Sequence, residues 1–95
     1  MKLISNRALR EFSALHPLAE EPLQAWRHII ERNTFQNFAQ LRQVFASVDK
    51  VGDQYVFNIG GNKWRLIATV AYGIQIVWVK HILTHIEYDK GAWKQ

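Results

Sequence analysis

Seven consecutive residues near the end of the sequence carry most of the groups that could take part in acid–base chemistry. Residues 84–90 read Thr-His-Ile-Glu-Tyr-Asp-Lys, which combines a hydroxyl, an imidazole, a phenol, two carboxylates and an ammonium. If this segment is helical, residues three or four positions apart are neighbours, so His85 would lie close to Tyr88 and Asp89. A histidine, a phenol and a carboxylate grouped in this way can donate, accept or guide a proton.

The same segment contains the signals of a short helix that begins directly after a strand. Thr84 and Glu87 have the spacing of a capping box, and Gly91 can adopt the left-handed conformation that ends a helix. A helix N-terminus favours phosphate and disfavours a protonated imidazole, which makes His85 a candidate general base or leaving-group acid. From spacing alone, a capped and solvated helix without a catalytic role is the more common interpretation.

The composition indicates one folded domain over residues 1–95 with a preference for polyanionic partners. Hydrophobic residues make up 48% of the chain and charged residues 21%, a balance typical of globular proteins. Twelve Lys and Arg against eight Asp and Glu give a net charge of +4. Cysteine is absent, which excludes disulfide and thiol chemistry. No signal peptide and no apolar run of membrane-spanning length is found, so we expect a cytoplasmic protein without a membrane partner.

The first half of the chain is predicted to be mainly helical. The expected elements are a short strand at residues 2–5, a helix capped by Ser5 or Asn6 that ends before Pro17, a second helix from Glu20 to a break at Asn33, and a shorter third helix or an irregular connection at residues 37–45. Apolar residues recur at helical spacing in the first two segments, which predicts a helical hairpin.

In the second half the hydrophobic period changes from about 3.6 to 2, the period of a strand. We predict strands at residues 55–59, 63–72 and 75–83, joined by turns at residues 60–62 and at Gly73. The short connections make this an antiparallel meander. The fold class is therefore α+β, with an N-terminal helical hairpin packed on a small antiparallel sheet and a short C-terminal helix. Both faces of the last two strands are largely apolar, which predicts a sheet covered on one side and partly covered on the other.

Two charged residues interrupt apolar strands and are candidate ligand-binding groups. Arg65 shares a predicted strand face with Lys63 and Ile67, and a charge in such surroundings is expected to be paired or directed at a ligand. Lys80 interrupts the apolar third strand in the same way. The neighbouring Trp64 and Trp78 are expected in the core.

A metal site is not supported by the sequence. His81, His85 and Asp89 are spaced by four, but the expected change from strand to helix at Thr84 destroys the helical register that would bring them together. The remaining basic, imidazole and phenol groups suit the cleavage of an RNA phosphodiester. In that reaction the neighbouring 2′-OH attacks the phosphorus with acid–base help, and no cofactor is required.

Three features taken together resemble a known family. Residues 55–67, the basic Lys80 of the following strand and the motif Thr-His-x-x-Tyr-Asp-Lys at residues 84–90 are similar to HigB-type toxins of type II toxin–antitoxin modules. The positions that match the family pattern are Asn62, Arg65, Lys80, Thr84, His85, Tyr88, Asp89 and Lys90. Trp64 stands where tyrosine is frequent in the family, so we assign it to packing.

The resemblance implies a RelE/ParE-like fold and an mRNA interferase that cuts messenger RNA on the translating ribosome. It also implies neutralisation by a HigA-like helix-turn-helix antitoxin, through which the pair would bind operator DNA. On this basis the candidate catalytic residues are Arg65, His85, Tyr88 and Lys90, and the candidate RNA- or phosphate-binding residues are Asn62, Lys63, Lys80, Thr84 and Asp89. Two alternatives stay open: a non-catalytic RNA-binding module, and a ParE-like module that binds gyrase.

Overall fold

A computed structural model describes residues 1–94 as a mixed sheet with helices on one face and a short helical segment on the other. The strands are β1 (Lys2–Ile4), β2 (Asp49–Val51), β3 (Gln54–Ile59), β4 (Trp64–Ala71) and β5 (Ile76–Thr84). The helices are α1 (Asn6–Leu15), α2 (Glu20–Arg32), α3 (Phe38–Val44) and α4 (His85–Lys90), with short 3-10 turns at Pro17–Ala19 and Ala92–Lys94. The α+β class and the helical hairpin on the sheet are confirmed.

The sheet has five strands in the order β1-β5-β4-β3-β2. The predicted meander of β3, β4 and β5 is confirmed as its antiparallel centre. β1 pairs with β5 in parallel, although three helices and three strands separate the two in the chain. β2 was not predicted. It forms a hairpin with β3 around the two-residue turn Gly52-Asp53, in which Gly52 has the positive φ (61°) that such turns require.

The main core lies between the helices and one face of the sheet. Apolar positions of α1 and α2 place Leu9, Leu23 and Ile30 in full burial against the strands. Aromatic rings join the two layers in edge-to-face pairs, such as Trp26 with Phe57 at a centroid distance of 5.3 Å. The third helix, which the sequence left open, is present: the side chain of Asn37 accepts a hydrogen bond from the amide of Gln40 at its start.

The opposite face of the sheet is covered only at its centre. Val56, Ile67 and Trp93 form a small second core there, and Leu83 and Tyr88 pack against it. The partial cover predicted from the apolar strands is therefore confirmed. The cover itself consists of α4 and the 3-10 turn that follows it.

Four local expectations differ from the structure. Ser5 precedes α1 with φ 84° and makes no side-chain capping bond, so the predicted side-chain cap of this helix is wrong. β4 begins at Trp64, which leaves Lys63 in the turn. Lys80 is unpaired at a β-bulge, since Ile67 pairs with His81 and Ala68 with Val79. Trp64 is buried as expected, but Trp78 is only partly buried and lies outside the cores.

The turn between β3 and β4 depends on glycine for two separate reasons. Gly60 and Gly61 both have positive φ, 63° and 73°, which other residues adopt only with strain. A Cβ at Gly60 would also lie 2.7 Å from the indole of Trp64, whereas one at Gly61 would meet nothing within 4 Å. The turn therefore holds the start of β4, where Arg65 follows, in one conformation. Within residues 1–94, none of the helices is both long and apolar enough to cross a membrane.

Candidate functional site

Arg65 is a charged side chain held in place by its own turn. It is 8% exposed, and it lies at the start of β4 on the face that carries the second core. Its Nη1 donates to the main-chain oxygens of Asn62 (3.3 Å) and Trp64 (3.2 Å), and its Nη2 donates to Oδ1 of Asn62 (2.5 Å). Within residues 1–94 these bonds leave the Nε–H and one Nη2 N–H without a partner, and a phosphate could accept from both.

Two stacked aromatic rings form the floor beside this guanidinium. The Cζ of Arg65 lies 5.4 Å from the ring centroid of Tyr88, within the range of a cation–π interaction. The ring of Tyr88 is in turn stacked on Trp93, with centroids 5.2 Å apart and an interplanar angle of 15°. The indole N–H of Trp93 donates to the main-chain oxygen of Tyr88 at 3.1 Å. The sequence predicted a role for Tyr88, whereas Trp93 was not among the candidate site residues.

The predicted capping box positions α4, and it is complete. The amide of Thr84 donates to Oε1 of Glu87 at 2.9 Å, and the amide of Glu87 donates to Oγ1 of Thr84 at 3.2 Å. The hydrogen bond from the Thr84 amide is the main reason that the pKa of the Glu87 carboxyl lies below its usual range. Gly91 ends the helix with φ 74°. The prediction of a capped helix ended by Gly91 is confirmed.

His85 and Asp89 form an exposed pair on α4. The Nδ1 of His85 is 3.0 Å from Oδ2 of Asp89, and the two side chains are 46% and 62% exposed. An ionised carboxylate can only accept a hydrogen bond, so Nδ1 carries the proton in this contact and Nε2 is the nitrogen available to a substrate. The proximity of His85 and Asp89 expected from their helical spacing is therefore confirmed.

Lys90 lies on another side of α4 from this pair. It comes five positions after His85, which corresponds to a rotation of about 140° around the helix axis. Together with His81, Glu87 and Trp93, Lys90 lines a groove of about 390 Å³ between α4 and β5. From the sequence, His81 was expected at most as a metal ligand. Its alternation with Leu83 along β5 is the signal that places both on the face that carries Arg65.

The other two predicted lysines lie apart from Arg65. The Nζ of Lys63 is 5.8 Å from the ring centroid of Trp64, which belongs to the main core on the opposite face. The predicted common face of Lys63 and Arg65 is therefore wrong. Lys80 lines a shallow groove beside α1, together with Phe12 and Leu15. Among the predicted residues, direct contacts connect Arg65 with Asn62 and Tyr88. A separate contact connects His85 with Asp89.

A metal site would require several acidic or imidazole side chains to lie close together. Within residues 1–94, no set of three His, Asp or Glu side chains is placed to hold a metal ion together. His85 and Asp89 form a pair, and His81 lies on the neighbouring strand.

Comparison with known proteins identifies the family of this chain. Residues 19–91 match the model of the HigB toxins, described as the RelE-like toxic component of a toxin–antitoxin system. The chain belongs to the HigB toxin family. The "mRNA interferase toxin HigB" of Escherichia coli strain K12 is 34% identical over 92 residues, which cover 94% of this chain and 88% of that protein. The "mRNA interferase HigB" of Escherichia coli O6:H1 is 30% identical over 93 residues, covering 95% and 90%.

The match to the HigB family includes all the candidate site residues predicted from the sequence. Asn62, Arg65 and α4 fall within the matched residues 19–91, whereas Trp93 and Lys94 lie beyond them. In this HigB-type toxin the family match therefore covers α4 but not Trp93, the other residue that covers the second core.

Proposed function

We propose that this chain is the toxin of a type II toxin–antitoxin module and acts as an mRNA interferase that cleaves messenger RNA on the translating ribosome. The observation that carries the proposal is the environment of Arg65. A guanidinium fixed by three hydrogen bonds and one aromatic ring, with two N–H groups unpartnered within residues 1–94, is preorganised for a phosphate. Preorganised donors stabilise the charge that develops on the phosphoryl oxygens in the transition state.

The neighbouring residues supply the other requirements of 2′-OH attack on the phosphorus. Nε2 of His85 can accept or donate a proton while Asp89 holds the imidazole through Nδ1. Tyr88 belongs to the same helix as His85 and its ring lies against the guanidinium of Arg65, so we assign its hydroxyl the role of orienting the ribose phosphate. Lys90 adds positive charge on the side of the adjacent groove. We propose smaller contributions of Lys63 and Lys80, through long-range attraction of RNA, because Lys63 lies over Trp64 and Lys80 lines the groove beside α1.

The proposal predicts that loss of the Arg65 guanidinium abolishes cleavage. Arg65→Ala should reduce the rate of messenger cleavage by about 10²–10³-fold, the usual cost of one preorganised oxyanion donor. Arg65→Lys should also be impaired, since a lysine keeps the charge but cannot replace the planar fork. Cleavage is measured by primer extension on a reporter messenger during in vitro translation. Arg10→Ala, at an exposed position of α1, is the matched control and should cleave like the unaltered protein.

Because Arg65 is buried, the melting temperature of each variant is measured alongside cleavage. A folded Arg65→Ala protein that cleaves at the full rate would remove Arg65 from the mechanism and contradict the proposal. If the unaltered protein cleaves no messenger but inhibits gyrase, the ParE-like alternative replaces it. If it binds RNA without cleaving it, the non-catalytic RNA-binding alternative replaces the proposal.

Membership of the HigB family implies an antitoxin partner. We infer that this partner is a HigA-like helix-turn-helix protein that binds operator DNA on behalf of the pair. Co-expression with the neighbouring gene should relieve growth arrest, and the purified pair should bind its operator with an affinity that falls steeply as salt rises. Operator binding by the toxin alone, or growth arrest that persists on co-expression, would contradict this inference.

A further inference from the structure

A second groove lies beside Trp93, next to the hairpin of β2 and β3. Its volume is about 410 Å³, and it is lined by Val51, Gly52, Asp53, Gln54, Trp93 and Lys94. Trp93 is shared with the groove that contains Lys90, so the two grooves lie on either side of its indole. The roles proposed above for Arg65, His85 and Tyr88 use none of the hairpin residues.

The rim of this groove carries opposite charges that do not neutralise each other directly. Asp53 is exposed at the tip of the hairpin, and Lys94 extends over Trp93 with its Nζ 5.6 Å from a ring centroid. Within residues 1–94, neither the carboxylate of Asp53 nor the ammonium of Lys94 takes part in a salt bridge. One acceptor group and one donor group therefore stand at the edge of a groove whose apolar lining is Val51 and Trp93.

The hairpin that presents Asp53 is a tight two-residue turn. Val51 pairs with Gln54 across the two-residue turn, and Gly52 takes φ 61° inside it. A carboxylate on such a turn can act as a fixed recognition group, because the backbone on both sides belongs to the sheet.

The groove is connected to the proposed phosphate site through stacked rings. Trp93 stacks on Tyr88, and Tyr88 lies against the guanidinium of Arg65. The distances along this series, 5.4 Å from Arg65 to Tyr88 and 5.2 Å from Tyr88 to Trp93, put the groove within reach of a base that neighbours a phosphate at Arg65. The base would meet an apolar wall, a hydrogen-bond acceptor and a cationic donor.

We propose that this groove binds a guanine base next to the cleaved phosphodiester, an inference that rests on the proposed ribonuclease function. Guanine presents two adjacent donors, N1–H and the 2-amino group, which match the two oxygens of the Asp53 carboxylate. Its O6 and N7 are acceptors that suit the ammonium of Lys94. Adenine and cytosine offer the carboxylate a single amino group, and uracil offers a single imino N–H. Each of these bases therefore leaves one oxygen of the Asp53 carboxylate without a donor.

The test compares cleavage of single-site messengers in which each position flanking the site is varied among the four bases. The unaltered protein should prefer guanine at one flanking position. Asp53→Asn should reduce that preference by roughly tenfold, within the range measured for one bidentate contact, while other sites are still cut. Lys94→Gln should reduce it less. Glu21→Gln removes the same charge from an exposed position of α2 and should leave the preference unchanged.

The outcomes separate this inference from the proposed function. If the unaltered protein cleaves none of the messengers, the ribonuclease function itself fails. If it cleaves them without a guanine preference, or if Asp53→Asn keeps the preference, the guanine subsite is refuted while the ribonuclease stands. If Asp53→Asn keeps the preference but weakens neutralisation by the antitoxin, the groove belongs to the protein partner and the inference is overturned.

Discussion

At the scale of single residues, the central chemical question is how His85 is oriented. A carboxylate one helical turn away holds its Nδ1, which leaves Nε2 for the substrate. The pair is exposed, so its geometry depends on the helix rather than on burial. The two residues should therefore act as one unit in catalysis, with Asp89 as a positioning residue.

We expect His85→Ala to reduce messenger cleavage by about 10²–10⁴-fold, the usual contribution of one acid–base group. Asp89→Asn should reduce it less, because the amide oxygen can still accept a hydrogen bond from Nδ1 of His85. The double variant should be no slower than His85→Ala alone, since coupled residues are not additive. Rates are measured by primer extension. Additive losses would show that Asp89 acts independently of His85.

At the scale of elements, α4 illustrates how a very short helix is stabilised. A helix of this length is too short to be stable alone, so its caps and its contact with the sheet decide whether it forms. The capping box closes its start, Gly91 ends it, and Tyr88 packs against the second core. The orientation of His85 in the proposed site therefore depends on the hydroxyl of Thr84.

Acid should loosen this helix. The folded-state pKa of Glu87 is lowered, so the stability from its capping bond is fully present above the ordinary carboxyl value of 4.5 and is lost as the pH falls through the lower folded value. The amide resonances of Thr84 and Glu87, followed by NMR from pH 7 to acid, should report this transition. Thr84→Ala, which costs about 1 kcal/mol as a lost cap, should weaken cleavage without unfolding the sheet. Equal Glu87 titration in both proteins would contradict this account.

At the scale of the whole molecule, elements specified by neighbouring residues were predictable and those set by distant partners were not. The helix α4 and the Gly60-Gly61 turn carry their own signals, so both were found. β2 is a three-residue edge strand with two charged residues, Asp49 and Lys50, and only the pairing with β3 stabilises it. The Gly-Asp turn was the available signal for that hairpin.

The site was predictable to a similar degree. A buried arginine after a glycine turn, and the chemistry of residues 84–90, stood out in the sequence. The bulge at Lys80 and the cover provided by Trp93 depend on register and packing between segments far apart in the chain. For that reason the sequence grouped Lys80 with Arg65, and it did not select Trp93 or His81.

The C-terminal turn should be essential for the whole fold, because Trp93 buries one face of the sheet. Trp93→Ala removes a side chain that is 5% exposed and should cost about 3–5 kcal/mol of unfolding free energy. Trp93→Phe keeps a ring against Tyr88 and should cost less. Urea denaturation followed by circular dichroism measures both. A Trp93→Ala protein as stable as the original would mean that Val56 and Ile67 need no cover.

The parallel pairing of β1 with β5 has a consequence for the stage of synthesis at which this toxin can become active. Lys2 is synthesised before every helix of the main core, yet its partner Ile76 is made only after all of them. Long-range pairings of this kind close late and slowly during folding. Arg65, Tyr88 and Trp93 also come from the last third of the chain. A growing chain therefore carries no assembled site until these residues have been made, and this interval is available to supply whatever neutralises the toxin.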